Sequence, residues 1–145
     1  VVGLMCLHVF TEGDSRQFTA LKPYAMKLGA AFQKVNFLRD IKDDYQLLGR
    51  VYFPDVDMMD FSMDVKKQIE QEIERDFKMA LEGIKQLPAS SKGGVYLAYV
   101  YYQSLFKKIK KLPAQRILTE RIRINNGKKI GLMLNSLLEF KMNLI

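Results

Sequence analysis

An all-α bundle of about five helices is the fold the sequence predicts, and three observations carry it. Apolar residues recur at three- and four-residue spacing over long stretches. Glycines and prolines cut those stretches into helix-sized pieces, and no segment alternates convincingly with period two. The 145 residues are one domain's worth of chain, enough to bury a core of their own.

The first element runs from Val1 to about Thr11 and reads as the tail of a helix, closed by Glu12-Gly13-Asp14-Ser15. The second runs from about Phe18 to Leu48, with Pro23 tolerated near its first turn. Gly49 ends it, and Val51 to Phe61 reads as an extended loop containing Pro54 and several aspartates. Ser62 is a suitable N-cap for the third helix, with Asp64 in its first turn. Val65, Ile69, Ile73, Phe77, Ala80, Leu81, Ile84 and Leu87 then form one apolar stripe, which Pro88 stops. Ala89 to Gly94 reads as a turn leading into a fourth helix, Val95 to about Lys111. A short linker carries Arg121 and Arg123, and a last helix starts near Asn125-Asn126-Gly127.

Composition narrows the function classes. Cys6 is the only cysteine, so no intrachain disulfide can form, which suits a reducing cytoplasm. His8 is the only histidine, which excludes a multi-histidine metal site. Val1 to Phe10 lacks the charged flank and cleavage site of a secretory signal and is too short to span a bilayer. It reads as the middle of a helix, so the chain is expected to be a fragment of a longer one. The net charge of +7 is uneven: residues 1–100 hold 13 basic and 14 acidic side chains, residues 101–145 hold 10 and 2. A basic C-terminal third implies an anionic partner, such as phosphate groups, an acidic membrane surface or nucleic acid, unless it is merely a solvated face.

The second helix is unlike the others. Leu21, Ala25, Leu28, Phe32 and Val35 make one stripe, and Phe37, Leu38, Ile41, Tyr45 and Leu48 cover much of the rest. A helix apolar nearly all round belongs at the centre of its bundle. At about 100° per residue, the remaining sector holds Gly29, Gln33, Asn36, Asp40 and Asp44, a polar seam on a central helix. Asp40 and Asp44 lie one turn apart, where like charges repel, and unpaired buried acids are costly. A divalent cation such as Mg²⁺ would remove the repulsion and become a site for a diphosphate, with Arg39 and Arg50 completing an anion clamp. The other reading of Arg39 is a structural ion pair with an acid on another helix. Three further pairs have the same spacing: Asp60/Asp64, Glu70/Glu74 and Glu72/Asp76. The first flanks a helix start. The other two lie among Lys66, Lys67, Arg75 and Lys78, and are expected on a wet face.

With these residues in view, the run Gln33-Lys34-Val35-Asn36-Phe37-Leu38-Arg39-Asp40-Ile41-Lys42-Asp43-Asp44 resembles the second aspartate-rich motif of the phytoene and squalene synthases. Gly49-Arg50-Val51-Tyr52-Phe53-Pro54 is similar to the segment that follows it in that family. Tyr101-Tyr102-Gln103-Ser104-Leu105, Glu120 to Ile124 and Lys128-Lys129 are similar to its late tyrosine helix and basic segment, and Val2-Gly3-Leu4-Met5 to the start of the preceding helix. The resemblance implies an isoprenoid-synthase-like bundle and a head-to-head condensation of two C15 or C20 prenyl diphosphates, with phytoene synthase slightly favoured over squalene and dehydrosqualene synthase. It implies Mg²⁺ bridged by Asp40 and Asp44, with Asn36 and Gln33 lining the site. Arg39, Arg50, Tyr52, Tyr101 and Arg121 would lie near the diphosphates or the prenyl chain.

One departure is serious. The family places a first aspartate-rich motif on a facing helix, and nothing before Asn36 supplies it. The chain is therefore expected to be the C-terminal half of such a synthase and inactive by itself, with exposed surface that favours a homo-oligomer. A rival reading is a non-catalytic helical module docking on acidic membrane or nucleic acid through Lys107, Lys108, Lys110 and Lys111, with Tyr99, Tyr101, Tyr102 and Phe106 close by. Helical spacing puts Ala98, Tyr102, Leu105 and Ile109 on one stripe, more simply a core, so nucleic acid is disfavoured and peripheral membrane contact kept. The last reading is a purely structural subunit in which Asp40 and Asp44 pair with basic residues.

Overall fold

The computed structural model describes residues 1–48, 61–119 and 122–142, with the side chains of all of these except 42–48. Among the described residues there are six helices and no strand: α1 (Val2–Phe10), α2 (Ser15–Leu48), α3 (Met63–Lys85), α4 (Ala89–Lys110), α5 (Ala114–Thr119) and α6 (Asn126–Lys141). The expected all-α bundle is what forms, consistent with an isoprenoid-synthase-like fold. Three local expectations need correction. Helix α2 begins at Ser15 because Asp14 caps it, its carboxylate accepting from the backbone N–H groups of Arg16 at 2.8 Å and Gln17 at 3.1 Å. Pro23 therefore sits inside the helix rather than in its first turn. Residues 89–94 are the first turns of α4, not a loop. Gly93 is helical where the Phe140 ring packs 3.6 Å from the position a Cβ would take, so tertiary contact overrides the low propensity of the glycine pair. The stretch read as a linker contains α5, anchored by fully buried Ala114 and Ile117.

The other starts and stripes form as the sequence predicts. Ser62 accepts from Val65 N–H at 3.3 Å, and Asn125 accepts from Lys128 N–H at 2.9 Å at the head of α6. The α3 stripe buries Ile69, Ile73, Phe77, Ala80 and Ile84. Helix α2 is central, packing on α1, α3, α4 and α5. Val35, Leu38 and Ile41 of α2 join Ile73 and Phe77 of α3 and Leu105, Phe106 and Ile109 of α4 in the main core, while Leu7, Leu21 and Leu87 make a smaller cluster. Each such side chain contributes roughly 1.5–3 kcal/mol on burial. Helices α2 and α3 cross closely at Gly83, where a Cβ would fall 2.2 Å from that of Tyr24.

Two of the four acids of α3 expected on a wet face, Glu70 and Asp76, are buried instead, while Glu72 and Glu74 are exposed as expected. Asp76 is 1% exposed and takes ion pairs from Lys27 at 2.8 Å and Lys34 at 2.7 Å, both from α2; Lys34 also reaches Glu72. Glu70 is buried and paired with Lys66, itself buried, whose ammonium also donates to the Lys110 carbonyl at 3.4 Å. Burial works to raise the Asp76 carboxyl, but the hydrogen bonds from Lys27 and Lys34 outweigh it and hold the group below its usual 3.8. Burial likewise works to lower Lys34, and its bonds to Asp76 and Glu72 win, raising it above 10.5. Lysines thus compensate these buried carboxylates, from α2 for Asp76 and from α3 itself for Glu70.

Candidate active site

The polar seam of α2 forms, but on the wall of a groove rather than in an enclosed interior. Gly29 and Gln33 are exposed, and Asn36, Arg39 and Asp40 are half-buried. An open cavity of about 1260 Å³ follows this wall between α1, α2, the end of α3 and the first half of α4. Its lining is largely apolar, with Phe10, Leu21, Leu28 and Val95 along it, and Gln33, Asn36 and Tyr102 at the end toward Asp40. From Leu21 to Asn36 the α2 wall is about 22 Å long at 1.5 Å per residue. The volume exceeds the roughly 300–1,000 Å³ usual for a compact small-molecule site. The groove suits a long apolar ligand with a polar head.

Three linked contacts organise the polar end. Arg39 Nε donates to both carboxylate oxygens of Asp40 at 3.0 Å, and its Nη2 donates to one of them. Among the described residues the acid partner of Arg39 is therefore its own neighbour, Asp40. That hydrogen bonding raises the guanidinium above its ordinary value, against the effect of burial. Tyr102 O–H of α4 donates to Asn36 Oδ1 at 3.1 Å, and its ring stacks on Phe32 with centroids 3.9 Å apart. Tyr101 meets Tyr102 edge to face at 5.6 Å. The Asn36 amide oxygen is thereby held by Tyr102 and the Asp40 carboxylate by Arg39.

The sequence-predicted residues divide as follows. Gln33 and Asn36 line this end of the groove, Arg39 and Asp40 follow them on α2, and Tyr101 of α4 adjoins Tyr102. Asp44 belongs to α2, one turn beyond Asp40, but its side chain lies outside the described residues, as do Arg50, Tyr52 and Arg121. Tyr102, read as part of the tyrosine-helix resemblance and of a core stripe but not as a site residue, carries the hydrogen bond that joins α4 to the seam. No sequence signal pairs it with Asn36, 66 positions away.

Asp40, Asn36 and Gln33 supply hard oxygen donors, the set that suits Mg²⁺. Among the described residues no three His, Cys, Asp or Glu side chains gather in one place. An ion here would therefore rely on one or two carboxylates, amide oxygen, water and substrate phosphate, which is how Mg²⁺ is usually held. The donor chemistry fits.

The aromatic residues beside the basic C-terminal cluster are largely interior. Tyr99 and Phe106 are buried and offer no stacking platform for nucleic acid, while Tyr101 and Tyr102 are half-buried. Among the described residues no helix is long and apolar enough to cross a membrane.

Fold and site together define a class: an all-α protein whose apolar groove ends at amide side chains, with a carboxylate–guanidinium pair one turn further along the same helix. A family model described as squalene/phytoene synthase matches residues 1–128. Phytoene synthases of Mycobacterium bovis and Mycobacterium tuberculosis are each 42% identical to this chain over 53 residues, a stretch covering 37% of this chain and 16% of either relative. No solved structure matches. The chain belongs to the squalene/phytoene synthase family.

Proposed function

We propose that this chain supplies the second aspartate-rich half of a head-to-head prenyltransferase of the phytoene synthase type, acting on C15 or C20 prenyl diphosphates. The observation that carries the reading is a long apolar groove that ends at Gln33 and Asn36, one turn of α2 before Asp40. A diphosphate belongs at the polar end and a prenyl tail along the wall toward Leu21. The names of both mycobacterial relatives favour phytoene synthase over the squalene branch.

Asp40 and Asp44 would hold Mg²⁺, with Asn36 and Gln33 beside it; bound there, the ion would neutralise charge on a departing diphosphate. Arg39 fixes the rotamer of Asp40 through its paired donors, so the carboxylate needs little reorganisation when ligand arrives. Tyr102 does the same for Asn36 and, stacked on Phe32, forms a flat apolar wall. Such a wall keeps water from the allylic cation left when diphosphate departs. Arg50, Tyr52, Tyr101 and Arg121 are proposed to contact the diphosphates or the prenyl chain. With one aspartate-rich motif in its 145 residues, this chain is expected to bind but not to turn over, as part of a longer synthase.

Calorimetric titration tests this with a prenyl thiodiphosphate, whose sulfur leaving group resists ionisation. Binding should require Mg²⁺ and weaken at least tenfold in Asp40→Asn, about 1.4 kcal/mol or more. Equal binding without Mg²⁺, or by the variant, would refute the assignment.

A further inference from the structure

The groove is closed at one end and widened in its middle, each by identifiable residues. Helices α2 and α4 run the same way along it. Asn36 and Tyr102 are hydrogen-bonded at the polar end, and Leu21 packs with Leu87, just before α4, at the other. There Leu7, Leu21 and Leu87 are buried in one cluster, with Phe10 and Val95 packed against it. Such packing leaves few voids larger than a water molecule, so a ligand chain stops at this cluster.

Midway between the two ends, both helices present glycine to the cavity. Gly29 lies about 10 Å along α2 from Asn36, and Gly94 about 12 Å along α4 from Tyr102, at about 1.5 Å per residue. The two glycines therefore stand at one depth, on different walls. Both are exposed, and a Cβ added at either would meet nothing within 4 Å, so the space beside them is the cavity itself. Glycine inside a helix costs stability relative to alanine. Gly83 and Gly93 have a packing reason for it, since the first admits the Tyr24 side chain and the second the Phe140 ring. Gly29 and Gly94 have no such neighbour and no left-handed backbone. What they provide is clearance.

The depth of that clearance can be compared with a prenyl tail. An extended residue spans about 3.5 Å with three main-chain bonds, so the four bonds of an extended isoprene unit span about 5 Å. The α2 wall of about 22 Å from Asn36 to Leu21 then holds about four units, and the first two of them reach the level of the glycines.

We propose that Gly29 and Gly94 are specificity-determining residues: their missing side chains let the third and fourth isoprene units pass, and the cluster of Leu7, Leu21 and Leu87 stops a fifth. The proposal rests on the prenyl diphosphate reading above.

Calorimetry with Mg²⁺ and thiodiphosphates carrying two, three, four or five isoprene units tests it. In the unaltered chain, affinity should rise with each unit up to four, because each buries more apolar surface, and gain nothing from a fifth. Gly29→Leu with Gly94→Leu should remove the gain from the third and fourth units, so that the ratio of four-unit to two-unit affinity falls at least tenfold. Both substitutions put a stronger helix former where there is open space, so the thermal midpoint should not fall. Ser91→Leu, on the same wall about 16 Å from Tyr102, should remove only the gain from the fourth unit. Two results would overturn the proposal and leave the prenyl diphosphate reading standing. One is length dependence that survives in both variants. The other is a double variant, melting normally, that loses the two-unit ligand as fully as the four-unit one. Binding that ignores Mg²⁺, or no binding at any length, would overturn that reading and the proposal with it.

Discussion

Replacing Asp76 by Asn keeps the shape of a buried side chain and removes its charge, leaving Lys27 and Lys34 facing a neutral amide. Breaking a fully buried ion pair costs roughly 3–5 kcal/mol, because the surviving charge is stranded. Here the lysines are not stranded: Lys27 is 44% exposed and can return to water, and Lys34 still reaches Glu72. What is lost is the charge assistance of two hydrogen bonds, less the hydration the lysines regain, giving about 2–3 kcal/mol. Urea unfolding near neutral pH should show this as a lower midpoint with an unchanged slope. The sign with pH follows from the lowered carboxyl. Its contribution is complete above the unfolded value of 3.8 and is lost as pH falls through the lower folded value, so the gap between the two proteins should close only in that acid window. Equal stability near neutrality, or a gap that persists after Asp76 is protonated, would refute the reasoning.

Tyr102→Phe keeps the ring stacked on Phe32 and removes one hydrogen bond, so a loss of about 0.5–1.5 kcal/mol in thermal unfolding is expected, with weaker Mg²⁺-dependent ligand binding as Asn36 loses its anchor. Gly83→Ala forces a methyl into the Tyr24 side chain at the α2–α3 crossing and should cost about 1–3 kcal/mol by chemical denaturation, while Gly29→Ala, which meets nothing within 4 Å, should cost far less. Burial first, and then its bond to Glu139, push the Tyr96 phenol from 10.0 to about 12. Its contribution to stability is complete below the unfolded value of 10.0 and lost as pH rises toward 12, an alkaline decline that Tyr96→Phe should flatten.

Periodicity made the skeleton legible. The α3 stripe, the Ser62 cap, the start of α6 near Asn125, the central position of α2 and the gathering of Gln33, Asn36 and Asp40 on one sector all follow from helical spacing and side-chain chemistry. What failed needed partners from elsewhere in the chain. Gly93 and Gly94 read as a turn until Phe140 packs against the first of them. Residues 114–119 are too short to show a period and are helical because Ala114 and Ile117 are buried. Asp76 sits among basic neighbours in sequence and looked solvated, yet its partners Lys27 and Lys34 lie on α2, two turns apart on one face. The same lesson bears on the site: burial of an acid did not by itself demand a metal in α3, so the reading of Asp40 rests on its place one turn beyond Asn36, where the groove ends.

The orientation of substrate is the central claim, and photo-crosslinking reads it directly. A prenyl diphosphate analogue bearing a photoreactive group at the far end of its tail should, with Mg²⁺, label the apolar end of the groove around Phe10, Leu21 and Leu87, and Asp40→Asn should abolish that labelling. Labelling that is independent of Mg²⁺, or that falls on α6 or on the Gln33–Asn36 end, would contradict the account.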